Sequence, residues 1–231
     1  LIDRMEEYNS AFPNDFRLAH DYTGLMEGLN SGKFCALMGG EGGNMIEGSM
    51  ENLETLYSRG VRYLGLTWNT SNAIATSARD ETERGKTGGL TDFGRQVVKR
   101  MNELGMLIDV SHLGETAFSE VIELSNSPVI ASHSNVYSLA PHYRNLTDAQ
   151  IKAIAKTGGY IGMNFYNKFL DPGANTGQIK NIQNKYRSGS RQFEEEFGED
   201  YVSFNEKRYE YITENRSEGG TSVEVLIDHI D

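Results

Sequence analysis

The sequence predicts an α/β protein of parallel strands joined by helices, and three observations carry that prediction. Short apolar runs alternate with amphipathic stretches from Phe34 to Phe165, several of those stretches stop at a glycine, and the apolar runs end in polar residues. The strands are predicted over residues 34–39, 61–67, 106–110, 128–132 and 160–165. Each is short and mostly continuous in apolar character, as expected where helices cover both faces of a parallel sheet.

The helices are marked by their ends. Ser49 precedes Leu53, Leu56 and Tyr57, with Gly60 as the stop; Thr91 precedes Phe93, Val97, Val98, Met101 and Leu104, with Gly105 as the stop. Phe118, Val121 and Ile122 mark a third helix, and Thr147-Asp148 opens a fourth through Ile151, Ile154 and Ala155 to Gly158. Residues 172–221 are poor in aliphatics yet carry seven aromatics, among them Tyr186, Phe193 and Tyr209, which reads as an insertion with partial helix. Residues 223–230 form one more predicted helix. A length of 231 residues fits a single domain over 1–231 with 172–221 inserted in it. Local pattern alone leaves an open doubly wound sheet and a barrel equally available.

Composition narrows the function. Apolar residues at 38% and charged residues at 24% suit a packed core, and a net charge of -11 disfavours nucleic acid as a partner. Cys35 is the only cysteine, so no intrachain disulfide forms. No apolar stretch approaches the roughly 20 residues that span a bilayer.

The polar strand ends are the candidate site. Glu41 follows the first strand, Trp68 the second, His112 the third and His133 the fourth, while Asn164 lies in the fifth. In a parallel barrel the C-terminal strand ends share one face, so one carboxylate and two imidazoles converge there, a ligand set suited to zinc with a coordination position to spare. A single histidine at a strand end is more often a packing residue. Two of them in matched Ser111-His112 and Ser132-His133 pairs favour the ligand reading. The glycines of Gly39-Gly40-Glu41-Gly42-Gly43 lack the Lys-Ser/Thr pair of a phosphate loop and instead let backbone close around Glu41. His20-Asp21 lacks a strand signal and reads as surface; His229 reads as structural. Arg144, in a loop after His133 with His142, reads equally as a surface arginine and as a fork able to clamp a carboxylate.

Glu41-Gly42-Gly43, the stretch 60–67, Gly89-Leu90-Thr91 with Phe93-Gly94, Ile108-Asp109-Val110-Ser111-His112, Ser132-His133-Ser134, Arg144-Asn145 and Asn164-Phe165-Tyr166 form an ordered set. Over residues 34–170 that set resembles the membrane (renal) dipeptidase family. The resemblance implies a (β/α)8 barrel of the amidohydrolase type, incomplete at both ends here, with two zinc ions bridged by a glutamate and a hydroxide that cleave dipeptides. By position Glu41 resembles the bridging ligand, His112 and His133 resemble the pair that holds one zinc, and Arg144 resembles the grip on the substrate carboxylate. Trp68 stands where renal members have histidine and becomes a substrate contact, and Phe169 stands where they have tyrosine.

The family's His-x-Asp pair and its late Asp have no counterpart, so ligands for only one of the two zincs are present and a segment of a longer enzyme is expected. The alternatives are a non-catalytic binding domain derived from the barrel, and an amidohydrolase acting on other amides. The resemblance further admits a homodimer and an exported or membrane-associated location.

Overall fold

The computed structural model describes residues 1–173 and 223–230, together with residues 207 and 210. Contacts divide the chain into two compact units, Leu1–Ser134 with Tyr143–Met163, and Asn135–His142 with Asn164–Asp231.

The first unit carries the strands. After helix α1 (Ile2–Ala11), strand β1 (Phe16–Leu18), helix α2 (Tyr22–Asn30) and strand β2 (Phe34–Ala36) form a parallel two-stranded sheet. β3 (Met38–Gly40) then begins a second sheet with β4 (Val61–Gly65), β5 (Leu107–Asp109) and β6 (Val129–Ile130). The order in that sheet is β3-β4-β5-β6 and every pairing is parallel. Spatial order therefore follows chain order without reversal, which is the winding of a (β/α)8-type barrel wall and lacks the switch point of a doubly wound sheet.

Helices fill each crossover: α3 (Met50–Ser58), α4 (Ala78–Arg84) with α5 (Asp92–Leu104), α6 (Glu115–Leu124) and α7 (Asp148–Lys156). The predicted caps do the work assigned to them. Ser49 accepts from Asn52 N, Thr91 from Gly94 N, and Thr147 forms a reciprocal box with Gln150. A cap contributes about 1 kcal/mol. By contrast, each fully buried aliphatic contributes roughly 1.5–3 kcal/mol, so Val97, Val98 and Met101, all at 0% exposure, outweigh the cap in holding α5 to the sheet. Leu53, Leu64, Ile108, Phe118, Val121 and Val129 belong to the same core. Ala155, expected on the apolar face of α7, is exposed.

Three strand expectations are corrected. The run 34–39 is broken at Leu37, which is exposed, so that β2 serves one sheet and β3 the other. The run 160–165 shrinks to a parallel bridge between Ile161 and Ala131, held by Ala131 N to Tyr160 O at 3.0 Å and Gly162 N to Ala131 O at 2.8 Å. The segment before His20, read as lacking a strand, contains β1.

In the second unit, α8 (Asn167–Leu170) packs where the Asn135 amide donates to the carbonyls of Asn164 (2.8 Å) and Phe169 (3.1 Å). The helix expected over 223–230 is α9 (Val223–Asp228). His229 follows it, buried, accepting from Val136 N through Nδ1 and donating to Leu170 O through Nε2, which is the structural role expected of it. Apart from residues 172, 173, 207 and 210, the insertion expected over 172–221 lies outside the described residues. Among the described residues no helix is long and apolar enough to cross a membrane.

Candidate metal centre

Glu41, His112 and His133 follow β3, β5 and β6, so the parallel winding delivers all three to the same edge of one sheet. Their ligand atoms lie within 4.8 Å of one another. His112 Nε2 is 3.0 Å from Glu41 Oε1 and 2.9 Å from His133 Nε2, and His133 Nε2 is 3.1 Å from Glu41 Oε1. His112 is buried, His133 partly so and Glu41 exposed, giving the group a solvent-facing side.

Each approach has a local cause. Gly42 has φ +95° and its Cβ would sit 3.1 Å from the Trp68 Cβ; at Gly43 a Cβ would meet Leu66 O at 2.8 Å. The glycines thus let the Glu41 turn lie against the end of β4, as the sequence suggested. His112 adopts φ +70°, a left-handed backbone rare for a residue with Cβ. It is held there through its carbonyl, which accepts from Thr67 Oγ1 (3.0 Å) and Ala78 N (2.8 Å).

Burial and neighbouring charge favour the neutral form of both imidazoles. Burial first, then the Arg144 guanidinium and His133, push His112 down to about 2. Burial and then Arg144 also lower His133, against the pull of Asp109 and Glu41. Neutral imidazole is the state that coordinates metal. Arg144 itself is only 4% exposed and donates from Nη2 to His133 O at 3.3 Å. Burial brings its guanidinium down to about 10, opposed by Asp109 and Glu41.

The three ligand atoms fit a cation. In a tetrahedral shell with bonds of about 2.0–2.2 Å, neighbouring ligand atoms sit roughly 3.3–3.6 Å apart. The observed spacings of 2.9–3.1 Å fall a few tenths of an ångström short of that range, so a small outward movement of the three side chains would admit an ion. Two imidazole nitrogens and a carboxylate oxygen at these distances are the donor types that a bound cation would draw together.

The other expected residues fall as follows. Trp68, after β4, places its ring 6.5 Å from the His112 ring and leaves about half its surface exposed. His142 stacks on Phe169 within the second unit, at 4.6 Å between centroids. His20 pairs with Glu6 at 3.2 Å, away from the ligand group, and Asp21 caps α2 through Gly24 N. Sequence reasoning noted Asp109 and Ser132 but gave them no role of their own, and they stand behind His133; the Asp two residues before Ser111-His112 was the available signal.

A parallel, sequentially wound sheet with a Glu-His-His group at its strand ends defines a metal-site protein of the α/β-barrel class. The chain belongs to the membrane dipeptidase family (peptidase family M19), whose model it matches over residues 1–231.

Solved structures agree. An amidohydrolase from Pseudomonas aeruginosa is 28% identical, with a TM-score of 0.68 over 75% of this chain and 52% of its own. A metallopeptidase from Rhodobacter sphaeroides, liganded with a phosphinate mimic of the dipeptide L-Ala-D-Ala, is 30% identical, with a TM-score of 0.67 over 73% of this chain and 48% of its own. The probable dipeptidase PvdM from Pseudomonas aeruginosa shares the fold at 23% identity and a TM-score of 0.75, over 100% of this chain and 61% of its own. The chain thus spans about half the length of the first two relatives.

Proposed function

We propose that the protein is a zinc-dependent dipeptidase, in which Glu41, His112 and His133 hold one metal and Arg144 receives the substrate's terminal carboxylate. The observation that carries this reading is the convergence of three ligand atoms from three strand ends to within 4.8 Å. Family membership and a relative that holds a dipeptide mimic support the substrate class. A metal bound there supplies the Lewis acidity that amide hydrolysis requires at neutral pH.

The chain's own residues do the rest. Glu41 contributes negative charge from the solvent side, and the two neutral histidines close the shell from the buried side. Trp68 offers an exposed aromatic wall beside His112 for a substrate side chain. Arg144, poorly hydrated where it is buried beside His133, attracts an anion more strongly than a surface arginine would. A fork that must grip a free carboxylate selects short peptides.

Metal content of the native-length protein, measured by plasma emission, should fall by about one ion per chain in His112→Ala and in His133→Ala, with circular dichroism preserved. Unchanged metal in both variants removes the assignment. For the clamp, Arg144→Lys keeps the charge but loses the fork, so kcat/KM on dipeptides should fall on the order of 10-fold or more, and further in Arg144→Ala. Equal turnover by Arg144→Ala and wild type would exclude it from substrate binding.

A further inference from the structure

Behind His133 lies a chain of hydrogen bonds that the metal-centre reading does not itself require. Asp109, at the end of β5, is 1% exposed. Its Oδ1 accepts from Ser111 N (3.0 Å) and from Ser132 N (2.9 Å), and its Oδ2 accepts from Ser132 Oγ at 2.5 Å. Ser132 Oγ lies 2.7 Å from His133 Nδ1, and His133 N donates to Ser111 Oγ at 3.1 Å. One carboxylate therefore ties together the two Ser-His pairs that the sequence singles out.

Proton counting gives the chain a direction. A carboxylate has no proton to offer, so the bond between Asp109 Oδ2 and Ser132 uses the single hydroxyl proton of the serine. The serine oxygen is then an acceptor towards the imidazole, and His133 Nδ1 must carry the ring proton. In the neutral ring this leaves a lone pair on Nε2, the atom that faces Glu41 Oε1 and His112 Nε2. The opposite tautomer would aim an N–H into the ligand group and set two lone pairs against each other at Ser132. His112 has no such support: among the described residues its Nδ1 is buried without a hydrogen-bond partner.

We propose that Asp109, acting through the Ser132 hydroxyl, is a positioning pair that sets the His133 tautomer and ring orientation before metal arrives. The inference rests on the metal-centre reading, and it makes His133 the pre-set ligand and His112 the one that adjusts. Partners on the far nitrogen of a ligating histidine are worth about 10- to 100-fold in metal affinity.

The test uses the native-length protein and the variants Ser132→Ala, Ser132→Thr and His133→Ala, with two readouts. In metal-free protein, nitrogen NMR of the imidazole should show His133 protonated on Nδ1 in wild type and Ser132→Thr, and a tautomer mixture in Ser132→Ala. Zinc affinity by chelator competition should fall roughly 10- to 100-fold in Ser132→Ala and recover in Ser132→Thr, which restores the hydroxyl. A His133 in Ser132→Ala that keeps the wild-type tautomer and zinc affinity overturns the relay, and so does a Ser132→Thr variant as weak as Ser132→Ala. Wild-type protein that binds no zinc, or His133→Ala that binds it as tightly as wild type, overturns the metal reading instead, while the tautomer measurement still decides the relay.

Discussion

His112 shows what a place in the candidate metal centre asks of a single residue. Its φ of +70° costs on the order of 1–3 kcal/mol for a side chain with Cβ, and the surrounding contacts must offset that cost. The Thr67 hydroxyl, at 0% exposure, is one of the two donors to the His112 carbonyl. Thr67→Val keeps the branched shape and removes that bond. It should lower stability by about 1 kcal/mol in urea unfolding, and weaken metal binding as His112 relaxes. A variant as stable as wild type, with full metal affinity, would place the restraint elsewhere. The convergence of Glu41, His112 and His133 was legible in the sequence, because all three end apolar runs and two of them share a Ser-His context. The left-handed backbone of His112 and the bond from Ser132 back to Asp109, 23 residues earlier, were not. No local spacing rule encodes a contact that exists only once two strands lie side by side.

At the scale of elements, legibility followed the strength of local chemistry. α5 runs from Asp92 to Leu104, between the Thr91 cap and Gly105, as read, since capping and a 3.6-residue apolar period are both local. β1 was missed because three residues, only one of them buried, leave too short a pattern. α4 was missed because its seven residues ARDETER carry no apolar period, although Ser77 caps it through Asp80 N. Gly94 joins helix and loop in a way propensity would misjudge. In an isolated helix Ala is better than Gly by about 1 kcal/mol. Here an added Cβ would lie 2.1 Å from the Ile74 carbonyl oxygen, so α5 would have to shift off the loop it packs on. Gly94→Ala should therefore destabilise by roughly 1–3 kcal/mol or more, read as a lower urea midpoint. A raised midpoint would mean that propensity prevails over packing at this contact.

For the whole molecule, the acid limit of stability depends on carboxylates held ionised by the fold, and Asp80 is the strongest case among the described residues. The chain carries 33 acidic against 22 basic residues, so protonating exposed carboxylates relieves repulsion and by itself favours the compact state. Asp80 opposes that trend. Its side chain is 0% exposed, accepting from Ser71 N (2.9 Å), Arg84 Nη1 (2.7 Å) and Lys86 Nζ (2.7 Å), and so fastens the loop after β4 to α4. The Lys86 bond first, then the bonds from Ser71, hold its carboxyl well below the usual carboxylate range. A depressed folded value means the unfolded chain binds the proton more readily. The contribution is fully present above the unfolded pKa, about 3.9, and is lost as pH falls below it towards the folded value. Urea midpoints should accordingly drop as pH is lowered from about 5 through 4, where unfolded Asp begins to titrate. Asp80→Asn should start lower at neutral pH, because a buried amide cannot satisfy two cationic donors, and should then lose less over the same interval. Parallel pH curves for the two proteins would show that the acid limit is set elsewhere in the molecule.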